Sequence, residues 1–210
     1  MSHEEARYEY RSFAPALGHL ERRLRSAGGA GDTRESAEVY LVTRADERCN
    51  FKIRDGRLEL KVLDGRLGPL ERWVPRLAAG FPIDDRALAA TLAAPLELAV
   101  PLAPGAGQSP EALTAAFRKV PEAAAVEVFK RREGFQLAGC IAELVQVTVG
   151  EHTTRSICVE GVDPDLVLEV ASQLGLAGLP NISYLAEIRD LQGWGAESSP
   201  AHVPGEGTAL

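Results

Sequence analysis

Asn50-Phe51-Lys52-Ile53-Arg54-Asp55-Gly56-Arg57-Leu58-Glu59-Leu60-Lys61 is the stretch that decides the fold. Two alternating runs flank Asp55-Gly56, and Asp-Gly between such runs is a strong hairpin signal. Successive strand residues point to opposite faces. Phe51, Ile53, Leu58, Leu60 and Val62 therefore share one face. Asn50, Lys52, Arg54, Arg57, Glu59 and Lys61 share the other. All of the second set but Asn50 are charged, and all of those but Glu59 are basic. Either that face meets water, or it lines a site for something strongly anionic.

The rest of the composition sharpens the choice. The chain has 210 residues, 45% hydrophobic and 25% charged, with a net charge of −7. An acidic protein is not drawn non-specifically to nucleic acid or to anionic lipid. Basic residues gathered on a few strands then carry more meaning than they would in a basic protein. Cys49, Cys140 and Cys158 are far apart and have neither CxxC nor zinc spacing. Free thiols point to a reducing compartment. The start, Met1-Ser2-His3-Glu4-Glu5, is polar and acidic, unlike a signal or transit peptide. No apolar run reaches membrane-spanning length. The expectation is a cytoplasmic protein.

Working outward, Arg7 to Phe13 alternates and reads as a first strand. Ala14 to Ala27 carries Leu17, Leu20 and Leu24 at helical spacing. Gly28 to Arg34 reads as a loop and Glu38 to Thr43 as a strand. After the hairpin, Gly65 to Pro69 is expected to turn and Glu71 to Leu77 to form a strand. Asp84 or Asp85 could cap a helix reaching Ala94. Leu96 to Ala103 is weakly strand-like, and Pro101 to Pro110 is a loop. Ser109-Pro110-Glu111 opens a helix to about Arg118. A meander is expected next: Ala125 to Glu133, Gln136 to Val149 and Thr153 to Glu160, with turns at Gly134 and Gly150-Glu151. Asp163-Pro164-Asp165 opens a helix to Leu174, and Ser183-Tyr184 leads into a last one, Leu185 to Leu191. The fold class is α+β: an eight-stranded antiparallel β-barrel with flanking helices. It forms one domain over residues 1–192, with a disordered tail over 193–210.

Taking the polar parity of each strand gives one interior set. It holds Arg7, Glu9 and Arg11, then Lys52, Arg54, Arg57, Glu59 and Lys61, then Lys130, Arg132, Glu143 and Glu160. Basic members outnumber acidic ones. A barrel interior filled this way needs counter-charge, because buried unpaired cations are costly. A polyphosphate chain with a divalent metal would satisfy both sets, Arg and Lys gripping phosphate and carboxylates holding the ion.

At this point the residues resemble the CYTH, or triphosphate tunnel metalloenzyme, superfamily, which includes inorganic triphosphatases, thiamine triphosphatases and class IV adenylate cyclases. Arg7-Tyr8-Glu9-Tyr10-Arg11 stands for the family's E-x-E-x-K. Lys52-Ile53-Arg54 stands for R-x-R, and Lys61 for the lysine on the next strand. Lys130-Arg131-Arg132 matches K-x-R, Ala142-Glu143-Leu144 an acidic strand, and Cys158-Val159-Glu160 the closing E-x-E. Ser183-Tyr184 is similar to the S-Y that begins the closing helix. The resemblance covers about residues 5 to 192, in order. It implies an antiparallel tunnel, Mg²⁺ or Mn²⁺, and a triphosphate-bearing substrate. Arg11, Lys52, Arg54, Lys61, Lys130 and Arg132 would bind phosphate. Glu9 and Glu160 would hold the metal, and Glu143 or Glu71 would help or act as base. Arg7 and Cys158 stand where the family carries glutamates, so the phosphate-binding half is kept and the metal-binding half is thinned.

Two readings stay open. One is metal-dependent hydrolysis of a triphosphate, inorganic, nucleoside or thiamine, with Glu9, Glu143 and Glu160 as the catalytic carboxylates. The other is a catalytically weak or inactive tunnel that binds polyphosphate or nucleotides as a sensor or interaction module. The expected partner is a small triphosphate or polyphosphate, with no membrane and no nucleic acid; a homodimer is left open.

Overall fold

A computed structural model describes residues 5–29, 31–96 and 102–194. Its strands are β1 (Arg7–Ala14), β2 (Asp32–Thr43), β3 (Cys49–Arg54), β4 (Arg57–Leu67), β5 (Leu70–Gly80), β6 (Ala123–Leu137), β7 (Cys140–Val149) and β8 (His152–Gly161). Helices α1 (His19–Gly28), α2 (Asp85–Leu96), α3 (Pro110–Phe117), α4 (Pro164–Leu174) and α5 (Tyr184–Leu191) surround them. The strands close into one barrel in the order β1-β5-β4-β3-β2-β6-β7-β8. Every pairing is antiparallel, and β1 closes the ring on β8 from Tyr8↔Gly161 to Ala14↔Arg155.

The hairpin forms as the sequence predicts. Asp55 (φ 50°) and Gly56 (φ 68°) both take left-handed backbone, the turn whose twist matches paired strands. Its apolar face points outward. Phe51, Ile53, Leu58 and Leu60 pack against Leu88 and Leu92 of α2 and Leu113 and Phe117 of α3. Burial of each such side chain stabilises the fold by about 1.5–3 kcal/mol, so truncating Phe51 would detach this helical cover. The charged face points into the barrel. A second outer layer joins Tyr10, Leu144, Ile157 and Val159 to Leu20 and Leu24 of α1 and to Val167, Val170 and Leu174 of α4. Asp163 caps α4, and Gly175 (φ 87°) ends it.

The interior has two halves. In one, Tyr40, Val42, Leu63, Trp73, Val126, Val128, Val145 and Val147 meet Tyr184, Leu185 and Ile188 of α5. The other half is charged. The route by which α5 reaches the barrel end lies in β1. β1 pairs with β5 only through Glu9↔Glu71. Beyond that point Asn181 accepts from the Arg11 N–H at 2.8 Å, and the Ile182 N–H donates to the Arg11 carbonyl at 2.7 Å. These contacts satisfy the backbone that β5 leaves, and Ser183 then caps α5 through the Ala186 N–H.

Several boundaries move. α1 begins at His19 rather than Ala14, because the sheet carries β1 through Ala14. β2 begins at Asp32 rather than Glu38, because β6 pairs with it continuously from Gly134 to Ala123. Gly134 is therefore inside β6, and the turn falls at Ala138-Gly139, both with positive φ, so β7 starts at Cys140 rather than Gln136. Gly65 sits at an irregularity within β4, and the turn lies at Gly68-Pro69. Asp84 is the residue whose carboxylate accepts from the Arg86 and Ala87 N–H groups at the start of α2. Most of the strand-like piece expected at Leu96 to Ala103 lies outside the described residues. The tail expected from Gly193 also lies outside them beyond Trp194, which itself packs on the interior cluster.

Candidate functional site

The charged half of the barrel encloses a cavity of about 270 Å³. Eight basic residues line it: Arg7 and Arg11 from β1, Arg34 from β2, Lys52 and Arg54 from β3, Lys61 from β4, and Lys130 and Arg132 from β6. Glu5, Glu9, Glu143 and Glu160 line it with them. Glu9, Glu143, Glu160, Arg11, Lys52, Arg54, Lys61, Lys130 and Arg132, singled out from the sequence, thus reach one cavity. Arg57 does not: it lies at the exposed rim and donates to the Ala78 carbonyl at 2.9 Å. Glu71 does not line the cavity either; it is buried beside it, accepting from Trp73 Nε1 and Arg66.

The feature that sequence reasoning missed is Glu38. Its side chain has no exposed area. One oxygen accepts from Lys130 Nζ at 3.1 Å and the other from Arg132. Lys52 Nζ stands 3.7 Å away and Arg54 Nη1 4.0 Å away. Ser36 donates to the same carboxylate. Burial pushes the Glu38 carboxyl up, but Lys130, Lys52 and Arg132 together pull it well below the usual range, so it stays ionised. Lys130 is buried over the Tyr184 ring at 3.3 Å and bonded to the Tyr40 hydroxyl. Burial drives its pKa far down, Lys52, Arg132 and Arg11 drive it further, and Glu38 opposes them. The signal was present in the sequence. Arg34, Ser36, Glu38 and Tyr40 are alternate residues of one strand, but that parity appears only once β2 is read from Asp32.

Nearer the mouth the carboxylates are also engaged. Glu59 accepts from Arg54 at 2.8 Å and lies 3.5 Å from Lys52. Glu9 sits in the fork of Arg11, at 2.9 and 3.3 Å. Arg11 in turn donates to Ser156 and stacks 4.3 Å from the Tyr184 ring centroid. Burial raises the Glu9 carboxyl, and Arg11, Lys61 and Lys130 bring it below its ordinary value. Glu160 accepts from Arg7 at 2.7 Å. Its carboxyl is raised, by burial first and then by Glu9 and Glu143, against the pull of Lys61 and Arg7. Cys158, two residues before Glu160 on β8, is buried and its thiol is pushed well up, so it remains neutral.

Whether these carboxylates fit a divalent ion can be judged from their partners. Both oxygens of Glu9 face one guanidinium, and Glu160 holds another. Among the described residues no group of three or more His, Cys, Asp or Glu side chains is placed to hold a metal. As arranged, the donor set is closed by arginines rather than open to an ion.

No family model matches the sequence, and no curated protein matches it. Solved structures do. The PH1012 protein of Pyrococcus horikoshii is 15% identical, with a TM-score of 0.52 over 85% of this chain and 97% of that one. A conserved hypothetical protein of Pyrococcus furiosus is 17% identical, with a TM-score of 0.50 over 85% and 98%. HpAC1 of Hippeastrum, an adenylyl-cyclase-like protein with a dominant triphosphatase activity, is 13% identical, with a TM-score of 0.48 over 88% and 95%.

Proposed function

We propose that this barrel, which has the fold of CYTH-like tunnel proteins, takes the end of a triphosphate or polyphosphate chain into its cationic cavity. One observation carries the reading. Eight basic side chains line a cavity that is shut at its inner end by an apolar layer and by α5, inside a protein of net charge −7. Such a concentration of positive charge in a low-dielectric wall focuses an anion inward while the rest of the surface repels it. Phosphate oxygens take several charge-assisted hydrogen bonds at once, which single carboxylates do not need.

Arg34, Lys52, Arg54, Lys61 and Arg7 provide the grip in this reading. Arg54 and Lys52 shift from Glu59 onto phosphate without leaving a buried charge unpaired, since Glu59 keeps partial access to water. Isothermal titration with sodium tripolyphosphate, in chelator, tests the reading: saturable binding that weakens with salt supports it, and absence of binding at low salt refutes it.

Hydrolysis of the bound chain is a second reading, favoured by the convergence of Glu9, Glu143 and Glu160, the last of which has its carboxyl raised by burial and then by the other two. A divalent ion held there would polarise the terminal phosphoryl group. With Arg7 and Arg11 bonded to Glu160 and Glu9, no step through such an ion follows from this geometry. Phosphate release from inorganic triphosphate, ATP, thiamine triphosphate and long polyphosphate, with Mg²⁺, with Mn²⁺ and with chelator, separates a hydrolase from a binding module.

A further inference from the structure

Lys130, Arg132 and Glu38 form a tier of their own at the floor of the cavity. The lysine side chain is 1% exposed, the arginine 7% and the carboxylate 0%. Lys52 and Arg54, one layer outward, are 12% and 25% exposed and reach Glu38 only at 3.7 and 4.0 Å. Lys130 and Arg132 line the cavity and Glu38 does not, so these floor cations already have an anion, supplied by the chain itself from within the wall. Among the described residues the groups facing Lys130 include Glu38 and Tyr40 of β2, Lys52 of β3, Glu9 and Arg11 of β1, Arg132 of β6 and Tyr184 of α5. Glu38 is the one carboxylate among them in hydrogen-bond contact with Lys130.

We propose that Glu38 is a specificity-determining residue: an internal anion in the wall that neutralises the innermost cations of the cavity and so limits how much of a polyphosphate chain the barrel can grip. The inference rests on the reading of the cavity as a phosphate site. A chain entering from the mouth meets Lys61, Arg34, Lys52 and Arg54 first. A further phosphate group would have to compete with a buried carboxylate for two cations that are themselves almost fully buried. It would also have to sit against that carboxylate's charge. Like charges brought together in a dry site are strongly disfavoured. Lys130 and Arg132 act on a ligand mainly through Glu38, by neutralising it.

The test is a ladder of pyrophosphate, tripolyphosphate and tetrapolyphosphate, titrated into wild type, Glu38→Gln, Lys130→Met and the double variant in chelator. Thermal melts establish that each is folded. In wild type, affinity rises from pyrophosphate to tripolyphosphate and levels off at tetrapolyphosphate. Glu38→Gln binds tripolyphosphate at least tenfold more tightly and tetrapolyphosphate more tightly still, because the floor opens. Lys130→Met leaves Glu38 less neutralised and loses at least tenfold. Adding Glu38→Gln to it restores affinity to the wild-type level or better. That last variant exchanges a buried ion pair for two neutral side chains of similar size, a change buried pairs often tolerate. A double variant that stays as weak as Lys130→Met would mean that Lys130 grips phosphate itself, and would overturn the proposal. So would unchanged or weakened binding by folded Glu38→Gln. If wild type binds none of the ladder, the reading of the cavity falls instead, and the two failures are distinguishable.

Discussion

The two halves of the barrel interior are built on the same strands by the same alternation, yet they do opposite work. On β6, Val126 and Val128 fill one half, and Lys130 and Arg132 the other. On β2, Tyr40 and Val42 continue into Glu38, Ser36 and Arg34. The apolar half holds the barrel shut and seats α5. The charged half is closed by no such layer, and its stability depends on pairing: Glu38 with four cations, Glu9 with Arg11, Glu160 with Arg7. A helix that plugs one end thus turns a tube into a cup, and the charges are confined to the part a solute can reach.

The comparison is easiest to break from the apolar side. Ile188 is 1% exposed at the centre of the α5 contact. Ile188→Asp places a carboxylate among the apolar side chains of this cluster. It should destabilise the fold by about 4 kcal/mol or more, read as a shift of the urea midpoint. If the charged half can absorb it, stability will barely change and the two halves are not distinct.

On the charged side, Arg54→Ala removes a cavity cation and leaves Glu59 less neutralised. Hydrogen bonds to charged groups contribute about 1.5–3 kcal/mol, so tripolyphosphate affinity should fall about tenfold or more. Arg57, its neighbour across the hairpin, is bonded to a backbone carbonyl at the rim, and Arg57→Ala should change affinity less than about threefold at moderate salt. Equal effects would contradict the inward and outward assignments.

The mouth can be converted. Arg7→Glu together with Cys158→Glu removes the guanidinium on Glu160 and adds an oxygen ligand on each of β1 and β8, the paired strands on which Glu9 and Glu160 lie opposite each other. Hard cations follow the number of carboxylate ligands. Mn²⁺ titration without substrate should show tighter binding than in wild type. No gain in a folded variant would mean that positions 7 and 158 do not serve one site.

The smallest effect is on pH. The folded Glu38 and Glu9 carboxyls lie below their ordinary value of 4.5. Each therefore adds stability that is full above that value and is lost as pH falls below it. Glu160 lies above its ordinary value, so its ionisation costs stability as pH rises from 4.5 toward its raised value. Melting temperatures between pH 3 and 7 should fall on the acid side in wild type, and Glu38→Gln should flatten that limb. An unchanged limb would place the acid sensitivity elsewhere.

Much of this was legible in the sequence because parity is a strong code where a strand alternates cleanly. Lys52, Arg54, Lys61, Lys130 and Arg132 were assigned inward on alternation alone, and they line the cavity. Arg57 obeys the same parity but lies past the rim, where a strand's inward side faces solvent. Glu38 was hidden because the run from Val39 to Val42 is apolar on both faces. Val39 and Leu41 pack outward under the helical cover and Tyr40 and Val42 fill the inner half. Alternation is silent in such a run. The closure by α5 was hidden because it depends on where Asn181 delivers the chain, a long-range contact with β1 that no local pattern encodes. The pairing of Arg7 with Glu160 spans 153 residues and follows only from ring closure.

The central claim is that the charged half is a receptor for phosphate chains and needs no metal to act as one. Calorimetric titration of the wild-type protein with tripolyphosphate in excess chelator, at low and at high salt, tests it most directly. The account predicts one-to-one binding that weakens as salt rises and falls about tenfold or more in Arg54→Ala. A folded protein that takes up no tripolyphosphate under chelation, but does so once Mg²⁺ or Mn²⁺ is added, would contradict it.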